Sequence, residues 1–424
     1  MERSGNRFFY GWVIVGVALV ALVVSNGLSI YGIPVFYRSI REEFVASGAI
    51  AAGQAESFIA FGATLTFLCS GLISPLAGWL IARYRLKRLM LAGCVMLGAG
   101  LTLHAVTTSP LAVYAARVLM GSSLGFIGVL PSVVLVSNWF ERRRGTALGI
   151  LLAGTSIGGI VIPPIATPLV AAYGWRTAML LVSLLIWVVL VPAIVLLVRD
   201  RPGDVGLEPD GELRRAPSAG DPSAATGMTF GEALRTPQFW IFAMGAALIF
   251  YPIFVSTQQF ILQAGRIGVD PPTASLMLSS IAAASIVGKS LFGALSDRFD
   301  PLRVILVCSA VMLASTFFLL ELTLATAFAF LIVFGLGYGG ALVLIQRLTA
   351  DFFGRRDYPK ILGAITIGDT LGAALGGLVT GRLADASGGD YTTAFFGVIA
   401  AAAGAFVLML VLNVTARRTK VQFG

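Results

Sequence analysis

An eleven-residue motif occurs twice in this chain, each time between two long apolar runs. It reads Gly78-Trp-Leu-Ile-Ala-Arg-Tyr-Arg-Leu-Lys-Arg88 and returns as Gly293-Ala-Leu-Ser-Asp-Arg-Phe-Asp-Pro-Leu-Arg303, 215 positions later in a chain of 424. A repeat at half the chain length constrains the fold to two homologous halves. Three further pairs recur at nearly the same spacing, 212 to 214 positions apart. Leu124-Gly-Phe-Ile-Gly128 matches Leu336-Gly-Tyr-Gly-Gly340, and Trp139-Phe-Glu-Arg-Arg143 matches Phe352-Phe-Gly-Arg-Arg356. Gly154-Thr-Ser-Ile-Gly158 matches Gly368-Asp-Thr-Leu-Gly372.

The runs between the motifs place the halves in a bilayer. The chain is 57% hydrophobic and 12% charged, against roughly 25% charge in a soluble domain. Twelve apolar runs reach spanning length, near 10–36, 55–81, 88–107, 110–137, 145–172, 177–198, 238–264, 272–295, 302–320, 324–348, 359–382 and 391–414. A span needs about 20 residues, and backbone groups in lipid must be satisfied within it, so each run is predicted to be a helix. The first run is too long for a signal-peptide core and lacks a small-x-small cleavage site, so it reads as the first span. The expected fold is all-α and integral to the membrane, with twelve helices in two pseudo-symmetric six-helix bundles. The expected bundles are 1–199 and 237–424, joined by a linker over 200–236 that is rich in Pro, Gly, Ser and charge. Such a linker reads as a surface loop. Thr229-Phe-Gly-Glu232 in it is expected to cap a short helix.

Charge orients the spans. With the N-terminus inside, 22 of the 30 Lys and Arg residues fall in cytoplasmic segments. Arg38, Arg41, Arg176, Arg266 and Arg382 fall outside, and Arg117, Lys289 and Arg347 fall within spans. This positive-inside bias places both termini in the cytoplasm. The net charge of +9 then reports topology and contact with anionic lipid rather than nucleic-acid binding. Cys69, Cys94 and Cys308 all lie in predicted spans and offer neither a disulfide framework nor a metal spacing.

Enzymatic chemistry finds no support. Gly154-Thr-Ser-Ile-Gly158 satisfies a nucleophile-elbow pattern, but it lies in a Gly-rich span and no His follows Ser156. No phosphate-binding loop and no metal or cofactor motif is recognisable, so any transport work must draw on gradients rather than ATP.

The repeated loop motif and Arg117-x-x-x-Gly121 together resemble the major facilitator superfamily over essentially the whole length. In that pattern Gly78, Arg83, Gly293, Asp297 and Arg298 are gating positions. The second copy is complete; the first carries Ala82 where the family usually has Asp. A narrower resemblance is to the bacterial monocarboxylate transporter and oxalate/formate antiporter group. Phe9-Tyr-Gly-Trp12 and Asn138-Trp-Phe-Glu-Arg-Arg-Arg-Gly-Thr-Ala-Leu-Gly149 carry it. That group often reads Arg-Pro-x-x-Gly-x-x-x-Asp in span eight, with the Arg taken to hold a substrate carboxylate. Here the run is Lys289-Ser-Leu-Phe-Gly-Ala-Leu-Ser-Asp297, with Ser285 where animal members often carry Asp and no Lys in span one. The resemblance implies a secondary carrier of small organic anions, monocarboxylates such as lactate or pyruvate, working by alternating access with proton coupling. Oxalate/formate-type exchange, export of drugs or cations through Asp369, and a non-transporting sensor are the competing readings. A monomer in a bacterial inner membrane is expected, with a small organic anion and a proton or counter-anion as partners.

Individual residues sharpen this. A cation within a span costs about 2.5–3.5 kcal/mol on insertion scales, so Lys289 should be paired, hydrated or functional. Its repeat-equivalent is Ser74, so the two-fold architecture does not require a charge there. Substrate binding and snorkelling to the inner face are the two readings. Asp369 is the one acid clearly mid-span, its repeat-equivalent is Thr155, and it is the candidate proton-coupling residue. The depths of Lys289 and Asp369 agree within about 5 Å at 1.5 Å rise per residue, which allows a pair. Tyr338 and Phe126 occupy equivalent places and are candidate pocket walls; Ser285, Asn26, Tyr31 and Gln258 are candidate polar contacts. Taken singly, Asn26, Ser29, Tyr31, Gln258 and Gln259 each read more readily as packing hydrogen bonds than as ligands. His104, the sole histidine, lies near the outer end of span three and is expected at the interface. Arg117 is expected to tether helices, and Gly121/Gly125 and Gly372/Gly376 to let helices approach closely.

Overall fold

A computed structural model describes residues 9–51, 54–211, 227–258, 271–321, 323–386 and 392–422. The chain is built of helices. Span one begins as α1 (Gly11–Asn26) and passes through a π-helical turn (Gly27–Tyr31) and a 3-10 turn (Ile33–Phe36) into α2 (Tyr37–Ala46). The π turn is closed by a bond from Gly32 N to Gly27 O at 2.6 Å. Such turns re-aim the side chains around them, here Asn26 and Tyr31. Span two is α3 (Ala55–Arg83) and span three is α4 (Leu86–Val106).

Span four is two helices, α5 (Pro110–Ile127) and α6 (Val129–Trp139), broken at Gly128. The sequence predicts one uninterrupted helix there. The break follows from Pro131, which has no N–H to give the Ile127 carbonyl and whose ring collides with it. Spans five and six share α7 (Arg144–Leu185), which turns at Gly174. The φ of +74° there is open to glycine and strained for side-chain-bearing residues. A π turn (Ile186–Leu190) leads into α8 (Val191–Leu197).

The second half starts with α9 (Phe230–Leu234), where Thr229 Oγ1 accepts from Glu232 N at 3.2 Å and Glu232 Oε2 accepts from Thr229 N at 2.7 Å. This is the expected capping box. Spans seven to twelve are α10 (Pro237–Gln258), α11 (Pro271–Arg298), α12 (Pro301–Thr316), α13 (Leu324–Phe353), α14 (Tyr358–Ala386) and α15 (Thr392–Gln422). Large apolar side chains such as Leu72, Leu111, Val188 and Trp240 are exposed. In water they would form a large apolar patch; in a bilayer they face lipid.

The first part of the linker is not a free loop. Asn138 Nδ2 donates to Asp200 O at 3.2 Å and Trp139 Nε1 to Arg199 O at 3.1 Å. Asp210 Oδ2 accepts from the backbone N–H of Glu141 at 3.1 Å and of Arg142 at 2.8 Å. The linker's end is held at the repeat-equivalent loop: Met228 N donates to Phe353 O at 2.9 Å and Phe230 N to Asp357 Oδ2 at 2.8 Å. Residues 212–226 lie outside the described residues.

Two hydrophobic cores form. One draws mainly on residues from Ile14 to Val198, the other on residues from Ala233 to Leu412. The halves meet along two seams, α7 against α11 and α3 against α14. By the internal repeat α3 corresponds to α11 and the first part of α7 to α14, so the seams are two-fold mates.

Candidate functional site

Both seams are closed on the side that carries loops 84–85, 140–143, 299–300 and 354–357, the basic face. Gly145 and Gly293 lie back to back: a side chain on either would strike the other's carbonyl. A side chain on Gly149 would strike the Lys289 carbonyl. On the other seam, one on Gly78 would strike the Pro359 carbonyl, and one on Gly363 the Ser74 carbonyl at 2.6 Å. Glycine at these places lets backbones from opposite halves touch.

A carboxylate locks the first seam. Helix α7 has no side-chain cap of its own at Arg143. Asp297, at the end of α11, supplies it from the other half. Its carboxylate accepts from Gly145 N at 2.9 Å, Thr146 N at 2.8 Å and Thr146 Oγ1 at 2.7 Å. Free amides and the positive end of the helix dipole both favour an anion there. Arg347 of α13 pairs with the same carboxylate and also with Asp351. Arg144–Asp351 at 3.8 Å and Arg355–Glu141 at 3.7 Å add ties between the halves. Sequence reasoning named Gly293 and Asp297 but missed Arg347, which it counted only as a cation in a span. Arg298 is exposed, and so is Arg83, whose guanidinium lies 4.1 Å from the Trp79 ring centroid. At Ala82 the second seam has no carboxylate to offer α14.

Above this lock lies Lys289, 0% exposed. It does not snorkel to the basic face. Its Nζ donates to Thr155 Oγ1 at 2.8 Å and Ser156 Oγ at 2.7 Å, both on α7 of the other half. Ser156 and Ser285 hydroxyls are 2.9 Å apart. The ammonium sits 5.6 Å from the centroid of the Tyr338 ring, a cation–π distance. Among the described residues no carboxylate pairs with Lys289. Ser156 therefore belongs to the site through the segment whose elbow-like pattern the sequence reading set aside.

Asp369 is 6% exposed, and its Oδ1 has no hydrogen-bond partner. The pair with Lys289 that equal depth allows is not formed. Matching depth places two residues on one level but does not bring their helices together: Lys289 on α11 turns to α7, whereas α14 lies against α3 and α10. Next to Asp369, Thr370 packs directly against Gly71 of α3.

The remaining candidates divide. Tyr338 packs against both cores, as a residue between the halves must. Tyr31 is 39% exposed, and its ring rests on Gly159 of α7, about where a Cβ would begin to crowd it at 3.0 Å. Asn26 is buried, and its Nδ2 reaches Ser25 Oγ at 3.4 Å. Phe126 belongs to the first core alone, with its Cβ close to Gly93. Gln258 ends α10, and its side chain and Gln259 lie outside the described residues.

His104 is 0% exposed rather than interfacial. Its ring meets the edge of Trp175 at 6.2 Å between centroids. The clamp that buries it joins Glu43 to Arg176 at 2.5 Å and to Trp175 Nε1 at 2.7 Å, and Arg176 to the Ala105 carbonyl at 2.5 Å. Arg117 is 2% exposed and lies over the Tyr37 ring at 5.3 Å, inside the first half. Cys94 and Cys308 are buried and unbridged. Among the described residues no group of three or more His, Cys, Asp or Glu is placed to hold a metal.

This architecture has known counterparts. The chain is 28% identical to monocarboxylate transporter 3 of Rattus norvegicus over 89% of its own length and 74% of the relative's. It is 26% identical to the MFS transporter asaE of Aspergillus flavus over 79% of its length and 73% of that protein's. Among solved structures, the MFS transporter FucP in the outward conformation superposes with a TM-score of 0.68 at 14% identity, covering 94% of this chain and 97% of that one. The human organic anion transporter MFSD10 superposes with a TM-score of 0.71 at 14% identity, covering 94% and 99%. A family model described as Major Facilitator Superfamily matches residues 8–266 and again 254–423, so this multi-pass membrane protein belongs to that superfamily and is a transporter rather than an enzyme.

Proposed function

We propose that the protein is a secondary carrier of small organic monoanions such as lactate or pyruvate, coupled to protons. The observation that carries this reading is Lys289: a fully buried ammonium with hydroxyl acceptors and, among the described residues, no paired carboxylate. A cation in lipid without a counter-anion is costly, and a substrate carboxylate placed against Nζ supplies the missing charge. Tyr338 stands beside it, with a hydroxyl suited to the second carboxylate oxygen and a ring suited to the substrate's carbon chain. The likeness to monocarboxylate transporters supports the same substrate class.

In this conformation the basic face is shut by Asp297, Arg347 and the glycine contacts. With both termini cytoplasmic, in a bacterial inner membrane and as a monomer, that is the state closed to the cell interior. Transport requires the cap to be released and the halves to rock about the Lys289 layer. Asp369, buried without a partner for Oδ1, is the proton carrier. Oxalate/formate-type exchange would use the same Lys289 and no proton. The unpartnered Asp369 favours a second reading, export of a lipophilic cation.

Reconstituted vesicles separate these readings. The monoanion carrier accumulates lactate or pyruvate when the exterior is made acidic. Accumulation of a lipophilic cation against the same gradient, with no carboxylate movement, contradicts the proposal.

A further inference from the structure

The ε-ammonium of Lys289 has three N–H donors. Two are taken, by Thr155 Oγ1 at 2.8 Å and Ser156 Oγ at 2.7 Å. The hydroxyl protons are themselves directed away from the lysine. Thr155 Oγ1 donates to the Leu152 carbonyl at 2.8 Å, and Ser285 Oγ donates to the Ala282 carbonyl at 2.8 Å. With its proton so placed, Ser285 accepts from Ser156 across 2.9 Å. A hydroxyl has one proton, so Thr155 and Ser156 both meet Lys289 as acceptors only. The arrangement is directional from Lys289 to the two carbonyls.

We propose that Thr155 and Ser156 fix the number of donors Lys289 offers to a ligand at one, and thereby select ligands with a single carboxylate group. One N–H engages one carboxylate oxygen. The second carboxylate of a dianion then finds no donor on the lysine. Among the described residues, other cations within the spans do not replace it: Arg144 and the half-buried Arg347 are engaged by Asp351 and Asp297, and Arg117 lies inside the first half over Tyr37. Thr155 and Ser156 are positioning residues, acting through Lys289 from the opposite half. The inference rests on the reading of Lys289 as the anion site.

The test uses the full-length protein and two probes, lactate and oxalate, with affinities measured by calorimetry. Thr155→Val with Ser156→Ala removes both acceptors while nearly keeping volume. The lactate-to-oxalate affinity ratio is expected to fall about tenfold or more, the worth of one hydrogen bond to a charged group. Thr155→Ser with Ser156→Thr keeps both acceptors and is expected to keep the ratio. A parallel loss of both affinities, the mark of a merely structural role, overturns the proposal. So does an unchanged ratio in the double variant while Lys289→Ala abolishes binding; the anion site then still stands. Undiminished lactate binding by Lys289→Ala, or none by the unaltered protein, overturns the anion site and this proposal with it. If the double variant does not fold, Thr155→Val and Ser156→Ala are measured singly, each expected to lower the ratio and each overturning the proposal if it does not.

Discussion

Lys289 donates to Thr155 across the interface between the halves, and Thr155 is the position that the internal repeat sets opposite Asp369. The repeat-equivalent positions are Ser74 and Asp369, where Ser74 Oγ instead donates to the Ser70 carbonyl and Asp369 Oδ1 has no partner. Each seam therefore combines a hydroxyl-bearing position with one charged position, and the charges have opposite signs. On the proposed reading, an anion and a proton would have separate sites in related surroundings, and their coupling would run through movement of the halves rather than through a Lys–Asp pair.

Removing the Asp369 carboxylate should uncouple transport from the proton gradient. Asp369→Asn keeps size and polarity and cannot release a proton. We expect acid-driven accumulation of monocarboxylate to stop and exchange of internal for external substrate to continue. Accumulation that still follows an imposed pH gradient in this variant assigns coupling elsewhere.

The cap that Asp297 places on α7 should hold the basic face shut. Asp297→Ala strips two α7 amides and leaves Arg347 without that partner. Loss of such a partly buried, charge-assisted network costs about 3 kcal/mol or more. Hydrogen exchange of a peptide containing Gly145 and Thr146 should quicken markedly in the variant. Equal exchange in both proteins means that Asp297 does not restrain this seam.

Gly145 and Gly293 should resist enlargement. Gly145→Val drives a side chain into the Gly293 carbonyl and Ser296, so the basic face cannot close as it does here. Spin labels placed on the 140–143 and 354–357 loops should report a longer separation in Gly145→Val. An unchanged separation places the close approach outside the closing mechanism.

The linker anchor should be acid-sensitive. Partial burial alone would raise the Asp357 carboxyl. The hydrogen bond from Lys360 and the Phe230 N–H outweigh this and hold it below its ordinary range. A lowered folded value means that its contribution is full above the ordinary carboxylate value of about 3.9 and is lost as pH falls through the folded value. Protease protection of residues 227–236 should therefore persist from pH 7 to about 4 and weaken below that. Asp357→Asn should show weaker protection at pH 7 and no such acid step.

The sequence carried much of this, and where it did not the reasons are physical. Apolar run length and the internal repeat are properties of the sequence itself, so the twelve spans and the equivalence of α3 with α11 are read directly. Lys289 stands out because charge within a span needs an explanation, and Asp297 because it completes the second copy of the repeated motif. The break at Gly128 was legible in Pro131 but outweighed by the continuous hydropathy of the run. Arg347 and Ser156 are not legible as site residues: nothing in the sequence names a partner for an arginine within a span, and Ser156 lies in an elbow-like pattern that a Gly-rich span satisfies by chance. Their roles come from what the other half places against them. Equal depth likewise says nothing about lateral distance, so the sequence leaves open whether Lys289 and Asp369 meet.

Lys289 is the centre of the account, and carboxylate binding to the purified protein tests it most directly. Calorimetric titration with lactate and pyruvate should show binding to the unaltered protein and partial retention in Lys289→Arg, whose planar fork grips a carboxylate differently. No binding should remain in Lys289→Ala that still elutes as folded protein. Lactate affinity in Lys289→Ala equal to that of the unaltered protein would contradict the account.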